Sequence, residues 1–235
     1  MRRIYKMKLG ALFTGGKDST YSIFLVSKEH EIACLLNIVS VNADSYMFHT
    51  VGSELLDMQA KALRIPLERL ETEGEKEKEL ADLRELIKAA KEKYGIEGVV
   101  SGAIASTYQK SRVDKICAAL RMRSIAPLWD MDQEKYLYAL VKDGFKSVII
   151  KVSADGLGPG WLGKTIDETS VRELAKLRDR YGINLAGEGG EYESLVLDCP
   201  MFAKSLKMVG VEKIWNEKEH VGYLRIRKLE AIEKT

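Results

Sequence analysis

Short, almost wholly apolar runs alternate with amphipathic ones through the first half of this chain, and that alternation limits the folds open to it. Residues 8–13, 34–41, 66–71 and 97–101 read as strands, three of them nearly all apolar. Runs at 17–28, 51–64 and 76–94 lie between them and read as helices. A strand that is apolar on both sides must be covered on both faces, and crossover helices between parallel strands supply that cover. The helix at 76–94 carries Leu80, Leu83, Ile87, Ala90 and Tyr94 on one stripe with charges elsewhere, which suits an outer helix packed on a sheet. A further helix at 106–121 leads to a fifth short strand, SIAPLW, at 124–129.

The texture changes after Pro127. A helix at 132–143 precedes a strand at 146–154, a glycine-rich loop DGLGPGWLGKTID and a helix at 168–181. From Glu191 to Ile232 short strand-like runs alternate with turns. This half reads as α+β, so the expected domains are residues 1–128 and 129–235. At 235 residues and 46% hydrophobic content, the chain is long enough for two packed cores.

No apolar run approaches the roughly 18 residues of a membrane helix. The start, MRRIYKMKLGALF, has no long apolar region and no small-residue cleavage site, so a cytoplasmic protein is expected. Cys34, Cys117 and Cys199 form no CxxC pair and no zinc spacing, and read as buried thiols. A net charge of +2 gives no case for a nucleic-acid partner. Abundant Lys and Glu, with three Gln and four Asn, match the composition of proteins from hot environments.

The stretch LFTGGKDST, residues 12–20, sets two glycines where a strand should hand over to a helix. A helix N-terminus offers free backbone N–H groups and the positive end of a dipole. Gly15 and Gly16 let that backbone approach an anion; Lys17 adds a cation and Ser19 a hydroxyl. Asp18 would be out of place at a bare anion, but a phosphate chain with Mg²⁺ accommodates all five residues. The plain alternative is a tight turn in which Thr14 or Ser19 merely caps. Neither GxxxxGK[ST] nor GxGxxG is present.

TGGKDS resembles the PP-loop, SGGxDS, of the N-type ATP pyrophosphatases, which cleave ATP to AMP and pyrophosphate. The departure is Thr14, which keeps the hydroxyl. The resemblance implies a five-stranded parallel sheet of the PP-loop (HUP-like) type with the nucleotide at the C-terminal ends of the strands. It also implies a smaller C-terminal α+β domain, ATP phosphates on Thr14, Gly15, Gly16, Lys17, Asp18 and Ser19, and Mg²⁺ near Asp18.

Two further segments stand out. Ser101, Gly102 and Ala103 end a strand and leave room for a flat base or a ribose. In the following helix, at about 100° per residue, Gln109 and Arg112 share the face of Val113, Ile116 and Leu120, which suits either a lined pocket or a core helix with a solvated start. In GEGGEYES, residues 187–194, Glu188, Glu191 and Glu193 crowd around Gly189 and Gly190. Alternation would put Glu191 and Glu193 on one side and Tyr192 opposite. The segment reads either as a solvated hairpin or as a cluster that holds Mg²⁺ or an ammonium, or that positions a nucleophile.

Taken together and in order, TGGKDS, SGAIASTYQKSRVDKICAALRMRSIAPLW, GLGPGWLGK and GEGGEYES resemble the signatures of the diphthine–ammonia ligases, a branch of the PP-loop enzymes. That family amidates the carboxylate of diphthine, a modified histidine on translation elongation factor 2, with ATP and ammonia. The resemblance implies an acyl-adenylate, with pyrophosphate and then AMP leaving. It makes Lys17, Asp18, Ser19, Glu188, Glu191 and Glu193 the catalytic candidates. Trp161, Gly189, Gly190 and Tyr192 become candidates for the substrate, with Trp161 covering the cleft, stacking on the trimethylammonium, or simply packing. His30, His49 and His220 lie outside the signatures and read as structural or surface residues. No cysteine sits where a tRNA-thiolating relative needs a persulfide, and no glutaminase domain is visible, so ammonia must arrive free or from a partner. The rivals are a PP-loop amide-forming enzyme on a small molecule such as a corrinoid, and a nucleotide sensor without turnover. The antiparallel tail offers an edge at which two copies could pair.

Overall fold

The computed structural model describes residues 5–40, 53–72 and 78–234. The chain divides into two compact units, Met1–Thr14 with Asp18–Trp129, and Gly15–Lys17 with Asp130–Thr235. His49 and the first residues of the helices expected at 51–64 and 76–94 lie outside the described residues.

The first unit runs β1 (Lys8–Leu12), α1 (Lys17–Ser27), β2 (Glu31–Ser40), α2 (Ser53–Leu63), β3 (Leu67–Thr72), α3 (Lys78–Tyr94), β4 (Gly98–Val100), α4 (Thr107–Ala119) and β5 (Arg123–Ile125). Its five strands lie in the order β3-β2-β1-β4-β5, all parallel, as the apolar runs require. In β2, Cys34 through Ile38 are all buried, which a strand shows only when both faces are covered. On one face Cys34, Leu36 and Ile38 pack with Leu83, Ile87 and Ala90 of α3 and with Val113, Ile116 and Cys117 of α4. The fifth strand is shorter than SIAPLW suggests. It ends at Ile125, before Pro127, which has no N–H for a ladder, and Trp129 donates to Ala126 in a turn.

The second unit contains α5 (Gln133–Lys142), β6 (Lys146–Val152), α6 (Glu168–Tyr181), β7 (Tyr192–Asp198), β8 (Ser205–Asn216) and β9 (Val221–Ile232). Its strands form a four-stranded sheet in the order β7-β6-β9-β8, with antiparallel pairing throughout. The fold class is therefore as expected: a five-stranded parallel α/β sheet followed by an α+β unit. Helix α6 fits its expected limits because both ends are marked. Asp167 and Ser170 form a reciprocal capping box, and Gly182 closes the helix at φ 71°. The tail differs from the short runs expected. It is one long hairpin of two 12-residue strands, in which residues such as Glu212 and Arg225 pair across solvent-exposed positions at 2.8 Å. Charges on exposed positions of both strands blur the period-two signal that marks a half-buried strand.

No described helix is long and apolar enough to cross a membrane. His30 accepts the Met7 N–H at 3.4 Å, and His220 is exposed in the hairpin turn. All three cysteines are free and buried. Burial pushes the Cys34 thiol up to about 12, and those of Cys117 and Cys199 to about 11, from an ordinary value of 9.0. A folded-state pKa above the unfolded one means that this contribution to stability is intact below about pH 9 and is lost as pH rises toward 11–12. A thiol-reactive disulfide reagent at pH 8 is expected to leave the folded protein unlabelled and to label all three thiols once guanidinium unfolds it.

Candidate active-site segments

The order of strands in the first unit reverses between β1 and β4, since β2 and β3 lie to one side of β1 and β4 and β5 to the other. In open α/β sheets the crevice outside such a reversal is where ligands bind. The loop 14–19 leaves β1 there, and Ser101–Ala103 leaves β4.

Several bonds hold the start of that loop. Phe13 donates its N–H to Leu36 at 2.8 Å, and its carbonyl accepts the Asn37 side-chain amide at 2.8 Å. Asn37 is 4% exposed and uses this bond to cap the end of β1. It was not among the sequence candidates, though a lone polar residue inside ACLLNIVS was a visible signal. The Ser19 hydroxyl turns back on the loop, accepting the Thr14 N–H at 3.3 Å and lying 3.2 Å from the Thr14 hydroxyl. Across the crevice, Gly102 is forced by close approach. A Cβ there would come within 2.8 Å of the Ser19 nitrogen and 2.9 Å of the Asp18 carbonyl carbon. The loop and the end of β4 are thus in direct packing contact.

Two buried oxygens beside this crevice have no protein partner: Oγ of Ser101, which is 5% exposed, and Oδ1 of Asn37. Buried polar atoms are seldom left unpaired, so an orphan acceptor on each side of β1 fits a site made for a polar ligand. In α4, Ser106 caps the first turn by accepting the Gln109 N–H at 3.3 Å. The Arg112 guanidinium lies 3.3 Å over the Tyr108 ring and bonds the Tyr108 carbonyl. The buried face of α4 is Val113, Ile116 and Cys117, with Gln109 and Arg112 half-buried beside it.

In the second unit, GEGGEYES is a pair of tight turns entering β7. Gly187 and Gly190 have φ of 73° and 91°, which favours glycine at both. Asn184 organises the turns: its carboxamide oxygen accepts from Ala186 at 3.0 Å and Glu188 at 3.3 Å. The alternation expected at 191–194 holds, with Tyr192 and Ser194 buried and Glu191 and Glu193 half-buried. Glu191 folds back to accept the Asn184 N–H at 2.9 Å, and Glu193 pairs with Lys151 at 2.8 Å. Among the described residues no group of three acidic, His or Cys side chains could hold a metal ion by itself. Trp161 sits in a 3₁₀ turn at Pro159–Trp161 with the Lys164 ammonium 4.4 Å over its ring, so one face already has a cation.

The second unit also includes Gly15–Lys17. Gly15 accepts the Val196 N–H at 3.0 Å, and Lys17 donates its N–H to Ser194 Oγ at 3.1 Å. The Lys17 side chain is 2% exposed; its ammonium donates to the Ala186 carbonyl at 2.5 Å and lies 4.9 Å from the Tyr192 ring centre. Ser194 was not singled out from the sequence.

A glycine-rich loop that leaves a five-stranded parallel sheet at its switch point defines an α/β protein of the class whose ligands bind at the C-terminal ends of the strands. The comparisons with known proteins narrow that class. Residues 7–124 match the diphthamide synthase N-terminal domain and residues 132–232 the diphthamide synthase C-terminal domain. A mouse protein named diphthine–ammonia ligase is 39% identical over 254 residues, covering 97% of this chain and 94% of the mouse protein. The human protein of the same name is 37% identical over 251 residues, with coverage of 97% and 94%. A solved structure titled as a predicted subunit of tRNA methyltransferase from Methanocaldococcus jannaschii aligns at a TM-score of 0.45 and 16% identity, over 83% of this chain and 98% of that one. The chain belongs to the diphthamide synthase family.

Because the obstacle at Gly102 is backbone, Gly102→Ala must displace the first turn of α1. Overpacking of this kind costs about 1–3 kcal/mol. Urea unfolding is expected to show that loss with an unchanged m-value.

Proposed function

We propose that this protein amidates the diphthine carboxylate of translation elongation factor 2 with ammonia. The diphthine carboxylate attacks the α-phosphorus of ATP, forming an acyl-phosphate bond as pyrophosphate leaves. Ammonia then adds to the acyl carbonyl, AMP departs with the bonding pair, and a proton is released. The observation that supports this reading is the bonding of the glycine loop to the acidic segment. Val196 to Gly15 and Lys17 to Ser194 join a phosphate-type loop to the segment that carries Glu188, Glu191 and Glu193.

Each residue then has a part. Gly15, Gly16 and Ser19 hold the β and γ phosphates as one unit, the donors of a helix start being suited to the pyrophosphate charge. Asp18 would hold Mg²⁺, which offsets phosphate charge when bound. Ser101, Gly102 and Ala103 take the base or ribose, with Gln109 and Arg112 at the edge. The three acids, with Gly189, Gly190 and Tyr192, serve the ammonia or the trimethylammonium of diphthine, for which Trp161 is a further aromatic candidate. Work on a translation factor supports a cytoplasmic location. The net charge of +2 leaves recognition to local contacts rather than long-range steering.

The test mixes the protein with ATP, Mg²⁺, ammonium chloride and diphthine-bearing elongation factor 2. The factor should become lighter by the difference between a hydroxyl and an amino group while AMP rises in step. ADP would contradict the chemistry, and AMP formation that ignores the factor but follows a corrinoid acid would identify a different substrate. Gly16→Val places a branched side chain where the phosphates lie. It is expected to abolish ATP binding in calorimetry while circular dichroism stays that of the folded protein.

A further inference from the structure

Lys17 is buried like a core residue, although it sits in the loop read above as a phosphate cradle. Moving an ammonium out of water is costly unless strong partners replace the solvent. Its partners here include the Ala186 carbonyl at 2.5 Å, a charge-assisted bond, and the face of Tyr192 at 4.9 Å. The ring is itself fixed, because the Tyr192 hydroxyl donates to the Leu185 carbonyl at 2.9 Å. Successive carbonyls, Leu185 and Ala186, are thus held by Tyr192 and Lys17. On the far side of the turns the Lys17 N–H is bonded to Ser194 at 3.1 Å. The segment 187–191, which carries Glu188 and Glu191, is therefore anchored at both ends by one residue: at Ala186 by the Lys17 side chain and at Ser194 by the Lys17 backbone.

We propose that Lys17 is a positioning residue for the acidic segment, governing use of ammonia and the acyl substrate rather than affinity for ATP. This rests on the amidation reading above. The Lys17 ammonium fixes where residues 187–191 stand, and those residues receive the second substrate. Ser194, through its hydroxyl, is the second half of the same clamp.

Lys17→Met keeps the length and removes the charge, Lys17→Arg keeps the charge, and Ser194→Ala removes the hydroxyl acceptor alone. In Lys17→Met the dissociation constant for ATP, by calorimetry, should stay within about threefold, while KM for ammonium rises about ten- to a hundredfold, the range expected on losing one charge-assisted hydrogen bond. Amide exchange across 185–192 without nucleotide should quicken in Lys17→Met, and Lys17→Arg should restore part of both effects. Should Lys17→Met fail to fold, Ser194→Ala is expected to show the same split, with unchanged ATP affinity and raised KM for ammonium. A tenfold or greater loss of ATP affinity with unaltered exchange at 185–192 would make Lys17 a phosphate ligand and overturn the proposal. An unchanged KM for ammonium would overturn it as well. If wild-type protein makes no AMP with the modified factor, the amidation reading fails, and the ATP affinity and exchange results still decide whether Lys17 acts as a clamp.

Discussion

The chain leaves β1 at the middle of a parallel sheet, at the point where strand order reverses, and the first unit is built around that exit. The exit can be tight only because Asn37 takes the last carbonyl of the strand and Gly102 offers no side chain to the turn of helix that follows. Strand ladder, side-chain cap and bare backbone together hold the start of α1 against the end of β4. A site that must bind a polyanion needs its donors fixed beforehand, because reorganising dipoles during the reaction would consume the stabilisation they provide.

What the sequence revealed depended on periodicity. Burial on both faces of β2 leaves five consecutive residues, Cys34 to Ile38, with one environment, and the result is a run apolar but for Asn37 that is hard to misread. Helix α6 was equally legible because Asp167 and Gly182 mark its ends with side chains or a dihedral that few residues share. The β8–β9 hairpin was not, since residues that face solvent on both sides carry no alternation to find. The early end of β5 could have been argued from Pro127 alone.

The candidate site was legible in part. Its two motifs stood out by composition, and the turns at Gly187 and Gly190 are where glycines were expected to matter. Composition did not reveal direction. A lysine beside two glycines and a serine invites the reading of a cation reaching for phosphate; spacing gave no sign that its partners include Ala186 and Tyr192, more than 160 positions away in the chain. Nor did spacing reveal that the partners of Glu191 include Asn184 and those of Glu193 include Lys151. Spacing places side chains on a face; it does not say what has arrived on the other side to meet them.

The carbonyl of Ala186 carries a further consequence. A main-chain acceptor is the same whatever residue supplies it, so the bond from the Lys17 ammonium to Ala186 leaves no mark at position 186 that sequence comparison could read. Tyr192 and Ser194, which contribute a ring and a hydroxyl, do leave such a mark. Divergence among related chains at 186 therefore says nothing against the contact. A change at 17 should travel with changes at 192 and 194, so covariation would detect only the half of the arrangement that is encoded in side chains.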